Sequence, residues 1–405
     1  MDWSEHVNEE MVQQLVSWRR HLHAHPELAF QEVETTALII DLLEQWGIAY
    51  ERPLATGVIA TVRGSRPGPT VAVRCDIDAL PIREENTFDF ASKVDGHMHA
   101  CGHDGHTAIQ LGLVKILSEL KSEINGEIRF FFQPAEEVIE SGARHLIEKG
   151  ALNGVDAILG LHLLSDLEVG KIGLLDGPIM ASVDEFAITV LGSGGHGAFP
   201  HQTRDALVVA ASLVGELQTL VSRRLDPLQP AVVTVGAFHA GAVFNVIGGR
   251  AELRGTVRTL SEPVRDLIES EMEQIVLQHC SGMGCKGELA YQRGNPSLVN
   301  DPALIEWLKP AAASVVGQSK TVGYGPIMGG EDFAHYTQRI PGAFAFVGAR
   351  NPAVGADWPH HHPRFTVDEA ALPIALSYLL NALERTSTAN GGLPTNMTRT
   401  RDGQT

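Results

Sequence analysis

Cys101-Gly102-His103-Asp104-Gly105-His106 puts a thiol, two imidazoles and a carboxylate into one short run. Cys-x-His spacing lets a thiolate and an imidazole reach one ion, or two adjacent ions, from a single loop. The two glycines permit the tight backbone this needs. Thiolate, imidazole and carboxylate together form a transition-metal donor set of Zn, Mn, Co or Ni type. A polar, solvated turn does not call for four metal-capable side chains side by side. His106, which leads into a helix, is read as a supporting or structural residue rather than a ligand.

Glu136-Glu137 follows the run EIRFFFQPA. Adjacent carboxylates in a turn can point two ways, one toward an ion and one toward water. A divalent ion lowers the pKa of water, and a neighbouring carboxylate can take that proton and return it to a leaving amine. The plainer alternative is an acidic helix start, which the helix dipole favours. His162 closes the apolar run VDAILGLH, and Asp76 and Asp78 follow VAVRC. One of these aspartates could orient a histidine ligand, or simply cap a turn. His360-His361-His362-Pro363 offers three further imidazoles, and spacing does not choose among them. His196, in GSGGHGAFPH, is flanked by glycines, so it is exposed and suited to donate to an oxyanion. Asn245 and Arg258 bracket a strand pair and suit a substrate carboxylate, Arg through bidentate hydrogen bonds.

The elements that must position these groups alternate regularly over the first 180 residues or so. Leu38, Ile39, Leu42, Leu43 and Trp46 have helical spacing and Gly47 stops them. Pro69–Cys75, Glu127–Phe132 and Val155–His162 read as strands, and Ile109–Leu120 as a helix entered through CGHDGHT. Strands alternating with helices imply a mostly parallel sheet covered by helices on both faces. Ligands gather at the carboxyl ends of such strands, and three separate strands deliver candidates there. The pattern changes after about residue 183. Strands at Glu185–Leu191, Ala231–Phe238, Ala251–Arg258 and Gly287–Tyr291 mix with helices at Asp205–Val221 and Glu262–Leu277, the order of a small two-layer α+β unit. Beyond residue 297 a strand at Ala343–Val347 and a helix at Val367–Leu383 resume the first pattern. The expected architecture is an α/β catalytic domain from 1–183 and 297–385, an inserted α+β domain at 184–296, and a loose polar tail at 386–405.

Composition sets the outer limits. Length 405 suffices for two domains, and 44% apolar with 20% charged residues is ordinary globular usage. A net charge of −18 argues against nucleic acid or an anionic membrane as partner. No apolar run reaches the length of a membrane span, and the acidic start MDWSEHVNEE does not resemble a secretory signal. Four cysteines are too few and scattered for a disulfide framework. The expected location is the cytoplasm.

Taken together, RRHLHAHPELAFQE, RCDIDALPI, HACGHDGHT, FFFQPAEE, GLHL, GSGGHGAFPHQTRDA, FNVIGGRAELRGTVRTL, MGGEDFAHY and HHHPRF resemble the M20 metallopeptidase family. Within it they resemble the aminoacylase/amidohydrolase branch, which includes hippurate hydrolases and auxin-conjugate hydrolases. The motifs run from about residue 19 to 365. The resemblance implies a zinc-exopeptidase-like catalytic domain with an inserted lid and dimerisation domain, and hence a homodimer. It implies two divalent transition-metal ions held by Cys101, His103, Glu137, His162 and His361. Glu136 would be the general base and acid, and Asp78 would support a ligand. His196 would polarise the scissile carbonyl, and Asn245 and Arg258 would bind the substrate carboxylate. The implied reaction is hydrolysis of an N-acyl amino acid to a carboxylate and a free amino acid. The chain departs from the family in reading NVIG for the usual NVIP, and in carrying three consecutive histidines where relatives often have one or two. A dipeptidase or exopeptidase on the same scaffold is the nearest alternative, separable by assaying N-acyl amino acids beside a free dipeptide. A non-catalytic binding protein would be expected to have lost part of the ligand set, which is intact.

Overall fold

Apolar strands bounded by turns assemble, in the computed structural model, into an eight-stranded sheet. Its order is Ala49–Glu51, Val58–Arg63, Asn125–Gln133, Arg66–Asp76, Ala157–Glu168, Gly342–Arg350, Ile172–Gly173, Thr321–Val322. The four strands from Asn125–Gln133 to Gly342–Arg350 are parallel to their neighbours in the centre. The pairings flanking them are antiparallel. Phe130, Phe131 and Phe132 are fully buried in succession, as a strand covered on both faces requires. The structure describes residues 2–388 and 392–397. These fall into a larger unit, comprising the chain up to Gly177, Val299–Gly325 and the stretch from Asp332, and a smaller unit of Pro178–Leu298 and Pro326–Glu331.

In the larger unit the helices Glu9–Ala24, His103–Glu119 and Ala371–Ser387 pack together. Gly112 sits where they meet: a Cβ there would lie 2.8 Å from Leu15 Cδ2 and 3.1 Å from Leu376 Cδ2. Two boundaries differ from expectation in ways that matter for the site. The helix expected from Ile109 begins at His103, because Gly102, left-handed at φ 104°, ends the preceding loop one residue earlier. The strand expected to close at His162 runs on to Glu168, because Gly342–Arg350 continues to pair with it. Register still places His162 beside the other groups. Arg74 pairs with Gly160 and Asp76 with Gln133, so Asp76, Gln133 and His162 are level across the sheet.

The smaller unit is a four-stranded antiparallel sheet in the order Ala231–Ala240, Arg250–Thr259, Asp184–Leu191, Lys286–Arg293. Alternation along Asp184–Leu191 turns Phe186, Ile188 and Val190 into a core shared with Leu213, Ile268 and Met272 of the helices Ala206–Leu217 and Glu262–Gly282. Asp205 caps the first helix by accepting the N–H groups of Leu207 and Val208. That helix ends at Leu217, earlier than the expected Val221, and is followed by a wider helical turn over Leu220–Arg224. Of the expected tail at 386–405, residues 389–391 and 398–405 lie outside the described residues. Thr386 and Ser387 belong to the final helix, and Leu393 and Met397 pack against the core of the larger unit. Among the described residues no helix is long and apolar enough to cross a membrane.

Candidate metal centre

The first donors come from the helix start. His103 is buried, and its Nδ1–H donates to the carbonyl of Asp78 at 2.9 Å. That bond leaves Nε2 buried and without a hydrogen-bond partner, the ring atom whose proton an ion would displace. Burial works against a charged His103 ring, but the Asp76 charge and the Asp78 contact overcome it and hold its pKa well above the usual imidazole value. The pocket around Nε2 thus favours positive charge. Cys101 Sγ shows the converse: burial first, then the Glu137 charge, pushes the thiol well above its ordinary value. A nearby cation reverses that preference and yields the thiolate.

His162 donates Nδ1–H to the carbonyl of Leu163 at 2.8 Å and turns Nε2 toward Cys101 Sγ, 3.4 Å away. Burial, then the neighbouring His106, lowers its pKa well below the usual value, so the ring is neutral and its lone pair free. Glu137 Oε1 is also buried with no hydrogen-bond partner. It lies 3.9 Å from His103 Nε2 and 3.3 Å from His361 Nε2. Donor atoms of Cys101, His103 and Glu137 all fall within 4.8 Å of one another, and so do those of Cys101, His162 and His360. The two groups share Cys101.

A third cluster, Asp76–His103–His106, is also within that distance, but Asp76 and His106 are occupied. Asp76 Oδ1 accepts His106 Nδ1–H at 2.6 Å and Oδ2 accepts Arg74 Nη1–H at 2.7 Å. His106 Nε2 accepts the Leu163 N–H at 2.9 Å. Both nitrogens of His106 are therefore engaged, and it braces the strand that carries His162. His360 is similarly committed: Nε2 accepts the Ser165 N–H at 3.1 Å, which places its hydrogen on buried Nδ1 and leaves no lone pair there. His361 is about half exposed, is left-handed at φ 64°, and is held by its own N–H donating to Ala100 O at 2.8 Å.

Glu136 and Glu137 stand on a turn after Asn125–Gln133 whose first residue, Ala135, is left-handed at φ 56°. Asp78 Oδ2 accepts the Glu137 N–H at 3.0 Å. Asp332 N–H donates to Glu136 Oε1 at 3.3 Å. Beneath the turn lies a buried polar network. Asp332 accepts from Arg74 Nη2 at 2.5 Å and from Gln133 Nε2 at 2.7 Å, and Tyr336 OH donates to Gln133 Oε1 at 2.8 Å. On the other side of His103, Asp104 Oδ2 accepts Arg19 Nε–H and His23 Nδ1–H, both at 2.8 Å, and His23 Nε2 donates to Glu84 at 3.0 Å. Burial opposes charge on His23, yet Asp104 and Glu84 raise its pKa.

Glu32, Arg74 and Asp332 were not singled out by sequence reasoning. They act through backbone N–H groups and through each other, and only their places in PELAFQE, RCDIDALPI and MGGEDFAHY pointed to them. Glu32 is fully buried, accepts the Ala135 N–H at 2.9 Å, and is pushed up to about 7 by burial and then by the Asp78 charge.

In the smaller unit His196 is exposed, on a two-residue strand paired with Val246–Ile247. Its Nδ1 accepts the Ala198 N–H at 3.0 Å, so the ring hydrogen sits on Nε2, an available donor. Asn245 immediately precedes the partner strand, and its carbonyl accepts the Gly197 N–H at 2.8 Å. Arg258 lies on Arg250–Thr259, where its Nη1 donates to Thr256 Oγ1 and to the Val257 carbonyl, both neutral. His196 and Asn245 are thus close through strand pairing.

Known proteins resemble the chain over most of its length. The model of peptidase family M20/M25/M40 matches residues 72–385. The chain is 45% identical over 366 residues to an N-acetylcysteine deacetylase of Bacillus subtilis (strain 168), covering 90% of this chain and 94% of that one. It is 49% identical over 293 residues to an N-acyl-L-amino acid amidohydrolase of Geobacillus stearothermophilus, covering 72% and 79%. A solved Bacillus subtilis structure named a dinuclear metal binding peptidase from the M20 family superposes with TM-score 0.82 at 40% identity, over 93% of this chain and 98% of that one. With its strand-end donors, its mostly parallel sheet and a family match that spans most of its length, the chain belongs to peptidase family M20/M25/M40.

Proposed function

We propose that the protein is a metal-dependent amidohydrolase that splits N-acyl amino acids into a carboxylate and a free amino acid. One observation carries this reading: His103 Nε2 and Glu137 Oε1 are buried within reach of each other and of Cys101 Sγ, and neither is satisfied by a hydrogen bond. Buried polar atoms are almost always satisfied, and a thiol, an imidazole lone pair and a carboxylate suit a divalent transition ion. Cys101, His103, Glu137, His162 and His361 would hold two such ions, of Zn, Mn, Co or Ni type. His361 is preferred over His360 because the Ser165 N–H already occupies His360 Nε2. Bound there, the ions would supply Lewis acidity, polarising the acyl carbonyl and making water acidic enough to react near neutral pH.

The chain's own residues do the rest. Glu136 is the carboxylate beside the donors that is not needed as a ligand; it takes the proton of the attacking water and delivers it to the leaving amine nitrogen. Asp78 positions two ligands at once, His103 through its carbonyl and Glu137 through its carboxylate. His196 Nε2–H would donate to the developing oxyanion, and Asn245 and Arg258 would receive the substrate carboxylate. The names of the relatives, an N-acyl-L-amino acid amidohydrolase and an N-acetylcysteine deacetylase, support an N-acyl amino acid substrate. Four free cysteines suit a reducing cytoplasm.

We further propose a homodimer through the smaller unit, as its lid and dimerisation body. Ala231–Ala240 is an edge strand, and Leu207, Val208, Phe238 and Val243 are exposed near its end, with Phe244 fully exposed.

The test of the proposed chemistry is Glu136→Gln in metal-loaded enzyme. Metal content should match the wild type while turnover of an N-acetyl amino acid falls by about 10²–10⁴-fold, the usual worth of a general base. Near-wild-type turnover would remove Glu136 from the role.

A further inference from the structure

We infer that Glu32 is a positioning residue for Glu136, acting through the backbone of the turn that carries it. The inference rests on the reading of Glu136 as the proton shuttle. Ala135, the residue before Glu136, is left-handed at φ 56°. An L residue with a Cβ avoids that region unless its surroundings hold it there. Four hydrogen bonds hold this turn. Glu32 Oε1 accepts the Ala135 N–H at 2.9 Å, and Ala135 O accepts the Gly142 N–H at 2.9 Å. Asp78 Oδ2 accepts the Glu137 N–H at 3.0 Å, and the Asp332 N–H reaches Glu136 Oε1 at 3.3 Å. The N–H groups on either side of Glu136 are therefore each gripped by a buried carboxylate brought in from elsewhere in the chain, Glu32 before it and Asp78 after it.

Glu32 is itself rigidly rooted. It precedes the helix Val33–Gln45, and its carbonyl accepts both the N–H and the hydroxyl of Thr36, at 3.0 and 2.5 Å. Thr36 Oγ1 in turn accepts the Gly57 N–H at 2.9 Å. Gly57 has Pro134 against it: a Cβ there would lie 2.5 Å from Pro134 Cδ. The helix start, the Gly57 turn and the Gln133-Pro134-Ala135 segment thus form one unit. Glu32 Oε2 is buried with no hydrogen-bond partner. Apart from the Thr56 side chain and its own backbone, the carboxyl engages Ala135, the residue that sets the turn of Glu136. Asp78 has a ligand on each side to orient, so the chain divides the work: Asp78 aims Glu137 and His103, and Glu32 aims Glu136. Misplacing a reacting group by about 1 Å can cost about 10²-fold in rate.

Glu32→Ala, Glu32→Gln, Glu32→Asp and Glu136→Gln, each loaded with the same divalent metal, would be compared for kcat and KM on N-acetyl-L-methionine, for metal content by elemental analysis, and for melting temperature. Removing the acceptor in Glu32→Ala should lower kcat by about 10- to 100-fold. KM should stay within about twofold and metal content should be unchanged, because the ligands and substrate groups are elsewhere. Glu32→Gln should restore kcat to within about threefold, since the amide oxygen accepts the same N–H. Glu32→Asp, too short to reach it, should behave like Ala; should Ala not fold, the contrast between Asp and Gln decides. Wild-type kcat in Glu32→Ala or Glu32→Asp, or a Gln variant as slow as Ala, would overturn the inference. So would a metal loss matching the activity loss. The Glu136→Gln arm separates this from the reading beneath it. Full activity there removes the shuttle, whereas an inactive Glu136→Gln beside a fully active Glu32→Ala removes only the positioning role.

Discussion

His361 Nε2 lies 3.3 Å from Glu137 Oε1, and the backbone N–H of His361 donates to the carbonyl of Ala100, the residue before Cys101. HHHPRF, late in the chain, is thereby tied to HACGHDGHT. His360, its neighbour, faces His162 instead, and its Nε2 is taken by the Ser165 N–H. The two imidazoles have different work, and their loss should have different signatures. His361→Ala should lower bound metal and turnover together. His360→Ala should leave metal content near wild type and cost about 1–3 kcal/mol of stability, because the Ser165 N–H loses its acceptor. Elemental analysis and thermal denaturation of both variants check this; metal loss in His360→Ala but not His361→Ala would reverse the assignment.

Arg74 offsets two buried carboxylates, Asp76 at 2.7 Å and Asp332 at 2.5 Å, with all three side chains inaccessible to solvent. Arg74→Met keeps the volume and removes the charge, taking the arginine from both carboxylates and leaving Asp332 with neutral hydrogen-bond donors. Such a change costs about 3–5 kcal/mol. The melting temperature should drop sharply, and a paired Arg74→Met/Asp332→Asn variant should recover part of the loss. A melting temperature equal to the wild type would show that the network contributes nothing net.

Much of this was legible in the residues, and what was not has a physical reason. The candidate donors Cys101, His103, His162 and the pair Glu136-Glu137 stood out because metal-capable side chains at strand ends and in a glycine-rich loop have little else to do there; the choice of Glu137 within the pair came from the family resemblance. The mostly parallel sheet followed from alternating apolar strands and helical periods. The position of His162 was legible but its strand end was not: Ala157–Glu168 continues because a distant strand, Gly342–Arg350, pairs with it. The choice between His360 and His361 depends on a backbone N–H from that same strand. Glu32 and Asp332 escaped because their partners are backbone N–H groups or charges distant in the chain, and Arg74 because it joins nearby Asp76 to distant Asp332, which no local pattern announces.

His23 and Asp104 give the larger unit a pH dependence with a definite sign. His23 is raised in the fold, so its contribution is complete below its unfolded value of about 6.5 and is lost as pH rises through the folded value. Asp104 is depressed: burial opposes its charge, but Arg19 and His23 prevail. Its contribution is present above its unfolded value of about 3.9 and is lost as pH falls toward the lowered one. His23→Gln removes the charged partner. The variant should be less stable than the wild type by about 3 kcal/mol near pH 5.5 and by clearly less near pH 9. Denaturation at the two pH values reads this directly; an equal loss at both would contradict a charged His23.

The proposed dimer makes its own demand on the smaller unit. Phe244 is fully exposed in the isolated chain. Phe244→Asp should convert a dimer to a monomer in light scattering at micromolar concentration, with little change in the melting temperature of the smaller unit. A wild-type protein that is monomeric at that concentration would remove the proposal.

The most direct test of the central claim is a metal titration of chelator-stripped protein, following hydrolysis of N-acetyl-L-methionine against bound Zn, Mn, Co or Ni per chain. The five-donor arrangement around Cys101 predicts no turnover without metal and full turnover as occupancy approaches two ions per chain. Hydrolysis that survives complete metal removal, or a fully loaded protein that leaves every N-acyl amino acid intact, would contradict it.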